Sequence, residues 1–261
     1  MRVFAISDLH TDFRENREAL ARAPLAGHGD DALIVAGDIA DSEAVLRDTL
    51  ELLASRFREV FFVPGNHELW VRGEERSSVD KFQAVLRICG QAGVRTAPAR
   101  VGGAWVVPLL AWYHPSFDVR GEGAEDELEG WSDRYFCRWP AEVMDRPDRF
   151  FLARNEPHVH GYDAPVITFS HFVPRTELVP RVRWLRFKGL PLVAGTTEID
   201  EQIRRIGARV HVFGHTHIAA DREIAGVRYV QNYFRPTADK PFQLVWDDAD
   251  ALSEPARQLF C

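Results

Sequence analysis

Short runs of uninterrupted apolar residues alternate with amphipathic stretches over the first ninety or so positions. Residues 2–7 (Arg-Val-Phe-Ala-Ile-Ser), 32–36 (Ala-Leu-Ile-Val-Ala) and 60–63 (Val-Phe-Phe-Val) have almost no polar face, the pattern of strands covered on both sides. Between and after them, apolar residues recur at helical spacing. Ala19, Leu20 and Ala23 mark a helix over 14–23. Val45, Leu46, Thr49, Leu50, Leu52 and Leu53 mark one that Asp41-Ser42 can cap, and Phe82, Val85, Leu86 and Cys89 mark one over 78–91. Strand and helix in alternation predict parallel pairing with right-handed crossovers. Further strands fit 104–111, 165–169, 209–213, 221–225, 227–231 and 242–246. The last three are short and closely spaced, which predicts antiparallel hairpins, with Ala225-Gly226 as one turn.

The alternation fails over 112–162, where Trp112, Tyr113, Trp131, Tyr135, Phe136, Trp139, Phe150, Phe151 and Tyr162 stand among prolines and acidic residues. This stretch is expected to be an insertion with a small aromatic core of its own, placed to cap a site. Residues 172–195, with Pro174, Pro180 and Pro191, form a second irregular stretch. No linker composition divides the chain, so residues 1–261 are expected to form a single domain carrying that insertion.

The chemistry is concentrated where the apolar runs stop. Asp8-Leu9-His10, Gly37-Asp38-Ile39-Ala40-Asp41, Gly65-Asn66-His67-Glu68, Ser170-His171 and Gly214-His215-Thr216-His217 each follow a strand. In parallel α/β sheets ligands gather beyond the carboxyl ends of the strands. All five motifs are therefore expected on one side of the sheet. Carboxylate, imidazole and amide oxygen suit manganese, iron or zinc, and the lack of cysteine in the motifs argues against a thiolate site. A single Asp-x-His or Gly-Asp is weak evidence, because such pairs arise in turns and helix caps. Five in this order, each at a strand end, point to a centre for two metal ions.

The set resembles the calcineurin-like metallophosphoesterase superfamily, over residues 1–75 and 163–218, and all five blocks are intact. The resemblance implies a two-sheet α/β/β/α sandwich and a hydrolase of phosphate esters. It implies two divalent or transition metal ions (Mn, Fe or Zn) and attack on phosphorus by a hydroxide that bridges them. Carried over position by position, it assigns Asp8, His10 and His217 to one metal and Asn66, His171 and His215 to the other, with Asp38 shared. His67 then lies beside the centre as proton donor or charge stabiliser. Asp41 is expected to orient Asn66 or His67 from behind, and Glu68 to support the loop. The second block has no tyrosine, which argues against the purple acid phosphatase subgroup.

Outside the motifs, His114 and Arg175 are the candidate substrate contacts, and the cluster Arg181, Arg183, Arg186 and Lys188 reads as a solvated surface. His158 and His160 read as loop residues, His211 as core and His28 as solvated. The net charge of −7 gives no basic footprint for nucleic acid. The expected substrate is a small, soluble phosphate ester. The alternatives are a phosphodiesterase or nuclease and, from another class, a binding scaffold without catalysis. Three scattered cysteines, Cys89, Cys137 and Cys261, no span of membrane length and a first strand that starts at the second residue predict a cytoplasmic protein without a membrane partner. The sequence leaves the oligomeric state open.

Overall fold

The computed structural model describes residues 1–24, 27–73 and 76–253. In chain order its strands are β1 (Arg2–Ile6), β2 (Ala32–Ala36), β3 (Glu59–Val63), β4 (Ala99–Val101), β5 (Ala104–Pro108), β6 (Val166–Phe169), β7 (Ala208–Phe213), β8 (Ala220–Ile224), β9 (Val227–Gln231) and β10 (Gln243–Asp247). They form two sheets, ordered β10-β1-β2-β3 and β4-β5-β6-β7-β9-β8. β1, β2 and β3 are parallel, as are β5, β6, β7 and β9; β10, β4 and β8 lie antiparallel to their neighbours.

Side-chain alternation along the strands builds three apolar layers. Val3, Ala5, Ile34 and Phe61 of the first sheet meet Val106, Ile167, Val212 and Val230 of the second, so the sheets pack face to face. The intervening positions of the first sheet, such as Ile6, Leu33 and Val35, face the helices α1 (Arg14–Arg22), α2 (Glu43–Ala54) and α3 (Ser78–Gln91). Those of the second, such as Val107, Val166 and Tyr229, are covered by the helix Glu198–Ile206 and by Phe151 and Leu152 of the helix Pro147–Asn155. This is the four-layer α/β/β/α sandwich expected from the motifs. The caps are local: Ser42 accepts from the Val45 amide, and Ser77 and Asp80 form a capping box at α3.

Three elements differ from the sequence reading. β8 and β9 do form the hairpin, with Ala225 and Gly226 both at positive φ, but β9 is parallel to β7, and β10 joins the other sheet beside β1. The helix Glu198–Ile206 was overlooked, although Ile199, Ile203 and Ile206 give it a buried stripe and Gly207 a left-handed end. The aromatic insertion is divided between two clusters: Trp112, Phe151 and Leu152 join Val107, Phe172 and Tyr229, while Leu128, Tyr113 and Trp131 form a small separate cluster with Phe187, Leu192 and Val193. His28 is not solvated either. It stacks on Phe57 and pairs with Asp31.

Candidate metal centre and cleft

Seven side chains from the five motifs converge beyond the carboxyl ends of β1, β2, β3, β6 and β7. The backbone itself is shaped for this. Asp8, His10, Asp38, His215 and His217 all have left-handed φ, between 44° and 75°. Among the described non-glycine residues only Ala225, in its hairpin turn, shares that conformation, which is uncommon and concentrates at functional sites. The approach is close enough to demand glycine at two positions. A Cβ on Gly37 would lie 2.4 Å from His171 Nδ1, and one on Gly65 would lie 2.2 Å from Asp38 Oδ1.

A buried carboxylate fastens two of these loops together. Glu68 accepts the amides of Ile39 (2.6 Å), Ala40 (2.9 Å), Asp38 (3.0 Å) and Gly65 (2.7 Å). Burial, helped by Asp38, pushes its carboxyl up to about 7 against those four donors. Glu68→Gln exchanges one acceptor oxygen for a donor and strands two buried amides. It is expected to lower the unfolding free energy by about 2–3 kcal/mol, read from urea denaturation in the presence of chelator. An unchanged midpoint would show that the loops are held by other contacts.

The ring nitrogens that face the centre are set from outside it. His171 donates from Nδ1 to the Ala36 carbonyl (2.8 Å), and His215 from Nε2 to the Val193 carbonyl (2.9 Å). Asn66 donates from Nδ2 to Asp133 (2.9 Å). The inward atoms are therefore acceptors. His171 Nε2 lies 3.2 Å from His215 Nδ1, 3.3 Å from Asn66 Oδ1 and 3.4 Å from Asp38 Oδ2. On the other side of Asp38, His10 Nε2 lies 3.1 Å from His217 Nε2 and 4.0 Å from Asp38 Oδ2, and His217 Nε2 lies 3.3 Å from Asp8 Oδ1. His10 Nδ1 is buried without a hydrogen-bond partner. Asp8, His10 and His217 form one ligand-spaced group, Asp38, His171 and His215 another, and His10, Asp38 and His67 a third that overlaps both through Asp38 and His10.

Lone pairs converging on two small volumes around one carboxylate fit two cations and leave each acceptor poorly satisfied without them. The electrostatics agree. Burial opposes charge on His171, yet Asp38 and Asp8 outweigh it and hold the imidazole up at about 9, so without a metal a proton on Nε2 takes the cation's place and with one that nitrogen is the acceptor. Burial, with His171 beside it, pushes His215 down to about 3 and keeps its lone pair free. Burial also opposes ionisation of Asp8 and Asp38, but His217 and His171 hold both carboxyls below their ordinary value.

His67 stands at the edge of this cluster. Its Nε2 is 3.9 Å from Asp38 Oδ2, its ring lies over Trp70 with centroids 3.7 Å apart, and its backbone amide donates to Asp38 Oδ1 (3.1 Å). Burial pushes the imidazole down to about 4.

Residues 1–219 match the calcineurin-like phosphoesterase family. The chain belongs to that family. It is thus a metal-dependent phosphoesterase, a hydrolase with a dinuclear centre. It is 29% identical over 250 residues to the [acyl-carrier-protein] phosphodiesterase PptH of Mycobacterium tuberculosis, across 87% of this chain and 75% of that protein. The crystal structure of phosphopantetheinyl hydrolase (PptH) from Mycobacterium tuberculosis aligns with a TM-score of 0.79 at 26% identity, over 95% of this chain and 96% of that chain.

The centre forms the floor of a cleft of about 740 Å³, within the range of small-ligand sites. Phe13, Trp131, Trp184, Leu185, Phe187, Leu190 and Ile218 make apolar walls, and Arg186 supplies a guanidinium. The irregular stretch around 180–190 thus builds much of the wall, and Arg186 faces the cleft instead of belonging to a merely solvated cluster. Its neighbours are engaged elsewhere: Arg181 pairs with Glu122, and Lys188 donates to the Val182 and Leu185 carbonyls. Three further expectations are corrected. Arg175 is held by Asp200 (2.7 Å) and Glu177, and does not line the cleft. His114 accepts from Ser116 and caps a turn outside it. Asp41 pairs with Arg72, while Asn66 is oriented by Asp133. Trp112 is buried against Trp139 and Phe172. Asp133 carried no signal in the sequence, standing among the acidic residues of the irregular stretch 112–162.

Proposed function

We propose that this chain hydrolyses the phosphodiester that joins a phosphopantetheinyl arm to a carrier protein. The observation that carries the reading is the cleft: an acceptor-lined floor suited to two cations, apolar walls around about 740 Å³, and Arg186 among them. The name of its relative PptH points to the same chemistry. This replaces the small, free ester expected from the sequence with a protein-attached one.

In this reading Asp8, His10, His217 and Asp38 hold one ion, and Asp38, Asn66, His171 and His215 hold the other. Manganese, iron and zinc all suit the donor set. Such ions supply Lewis-acid polarisation of phosphoryl oxygens and lower the pKa of a water. The chain's own groups do the remainder. Asp38 offsets cation repulsion from between the two ligand groups. His67, braced by Trp70, meets the departing oxygen. Trp131, Trp184 and Phe187 exclude water and line the path of the arm, so both irregular stretches contribute walls of one domain. Among the described residues the cleft lining carries the guanidinium of Arg186, which suits one phosphate group, and the net charge of −7 favours a substrate other than nucleic acid. Among the described residues no helix is long and apolar enough to cross a membrane, and Cys89 and Cys137 are free thiols, in keeping with a reducing cytoplasm. Cys261 lies outside the described residues.

The decisive experiment incubates a holo carrier protein with the manganese-loaded enzyme and follows the intact mass of the carrier. Loss of the phosphopantetheinyl group is expected. Hydrolysis of aryl monoesters with no action on the holo carrier or on diesters would overturn the substrate. Arg186→Ala is expected to raise KM about tenfold with kcat little changed, the result for a group that binds ground and transition state alike. A fall in kcat at constant KM would place Arg186 in the chemistry instead.

A further inference from the structure

One buried carboxylate outside the five motifs touches three parts of the site. Asp133 is 3% exposed and sits in the aromatic insertion. Its Oδ1 accepts from Asn66 Nδ2 at 2.9 Å and from Trp70 Nε1 at 2.6 Å. Its Oδ2 accepts from Trp131 Nε1 at 3.0 Å. Asn66 differs from the carboxylates, whose two oxygens are equivalent: rotating its amide exchanges a ligating oxygen for a nitrogen that cannot ligate. A rotated amide would aim its oxygen at the Asp133 carboxylate and its NH2 group at His171 and His215. Asp133 therefore selects the orientation in which Asn66 Oδ1 stands 3.3 Å from His171 Nε2 and 3.1 Å from His215 Nδ1. The same carboxylate anchors Trp70, on which His67 rests, and Trp131, which lines the cleft.

We propose that Asp133 is a positioning residue for the centre. It holds Asn66 as an oxygen ligand for the ion of the Asp38–His171–His215 group, and it ties the cleft wall to that ligand. The proposal rests on the assignment of metal ligands above. It extends that assignment to a residue of the insertion, which the motif resemblance does not cover.

The test is calorimetric titration of the chelator-stripped full chain with MnCl2. Wild-type protein is expected to bind two ions; fewer would defeat the ligand assignment and leave Asp133 without a ligand to position. Given two, Asp133→Asn is expected to weaken one ion by about 10–100-fold, the usual effect of losing a partner behind a ligand. The other ion, served by Asp8, His10 and His217, is expected to keep its affinity. In an Asn66→Ala background the same change is expected to cost nothing further, because the ligand it orients is gone. Asp133→Ala introduces no competing donor and is expected to give the same selective loss. Wild-type affinity for both ions, equal weakening of both, or an additive loss on top of Asn66→Ala would each overturn the proposal. Loss of fold in both Asp133 variants would also do so, making the residue a core element and not a positioning one.

Discussion

Asp38→Asn is expected to lose at least about 10³-fold in turnover, equivalent to about 4 kcal/mol of transition-state stabilisation, and to release one or both metals. Asp38 Oδ2 is the point at which the two ligand groups meet, 3.4 Å from His171 Nε2 on one side and 4.0 Å from His10 Nε2 on the other. Its side chain is shielded from water, so the negative charge acts at low dielectric. An amide keeps the shape but removes the charge that offsets cation repulsion. The substitution is well suited to the test because asparagine tolerates the left-handed φ of 57° at this position. An amide oxygen can also still accept the His67 amide, so the fold is expected to persist. Elemental analysis and circular dichroism accompany the rate measurement. Full metal occupancy with wild-type turnover would remove Asp38 from the bridging position.

What the sequence revealed, and what it concealed, follows from the range of the interactions involved. The strands 32–36 and 227–231 and the helix 78–91 were legible to the residue, because buried parallel strands and amphipathic helices write their period locally. The ligand cluster was legible because each motif sits where a strand ends. The partner of β10 was not: Gln-Leu-Val-Trp-Asp fits either sheet edge, and only the packed molecule places Gln243–Asp247 beside β1. Arg186 and Asp133 were hidden for a related reason. Each is a charged residue in a stretch without periodicity, where exposure is the ordinary outcome. Arg186 lines the cleft because the chain around 180–190 folds over the centre, and the buried Asp133 accepts N–H groups of Asn66 and Trp70 from a distant loop and of the neighbouring Trp131. Arg175 illustrates the converse. Its proximity in sequence to His171 suggested a phosphate contact, but Asp200 and Glu177 hold it in place.

His67→Ala is expected to retain both metals yet lose about 10²–10⁴-fold in rate on alkyl phosphate esters, with a smaller loss on activated aryl esters. In the proposed assignment His67 completes neither ion's ligand set, although it stands at ligand spacing with His10 and Asp38, its Nε2 3.9 Å from Asp38 Oδ2, so both metals are expected to stay. Trp70 beneath the ring fixes its orientation toward the cleft. Burial holds the free imidazole down at about 4, opposed by Asp38, so at neutral pH the empty cleft presents a neutral ring. A bound anionic phosphate would favour the protonated form and the cations of the centre would oppose it, so proton transfer is read from the ester comparison and not from the resting charge of the ring. An alkoxide needs that proton, whereas a nitrophenolate leaves without it. The ratio of losses on the two ester classes is therefore the deciding quantity. Equal losses would mean that the neutral ring stabilises charge on the phosphoryl oxygens through its N–H and transfers no proton. Full activity on both would take His67 out of the mechanism.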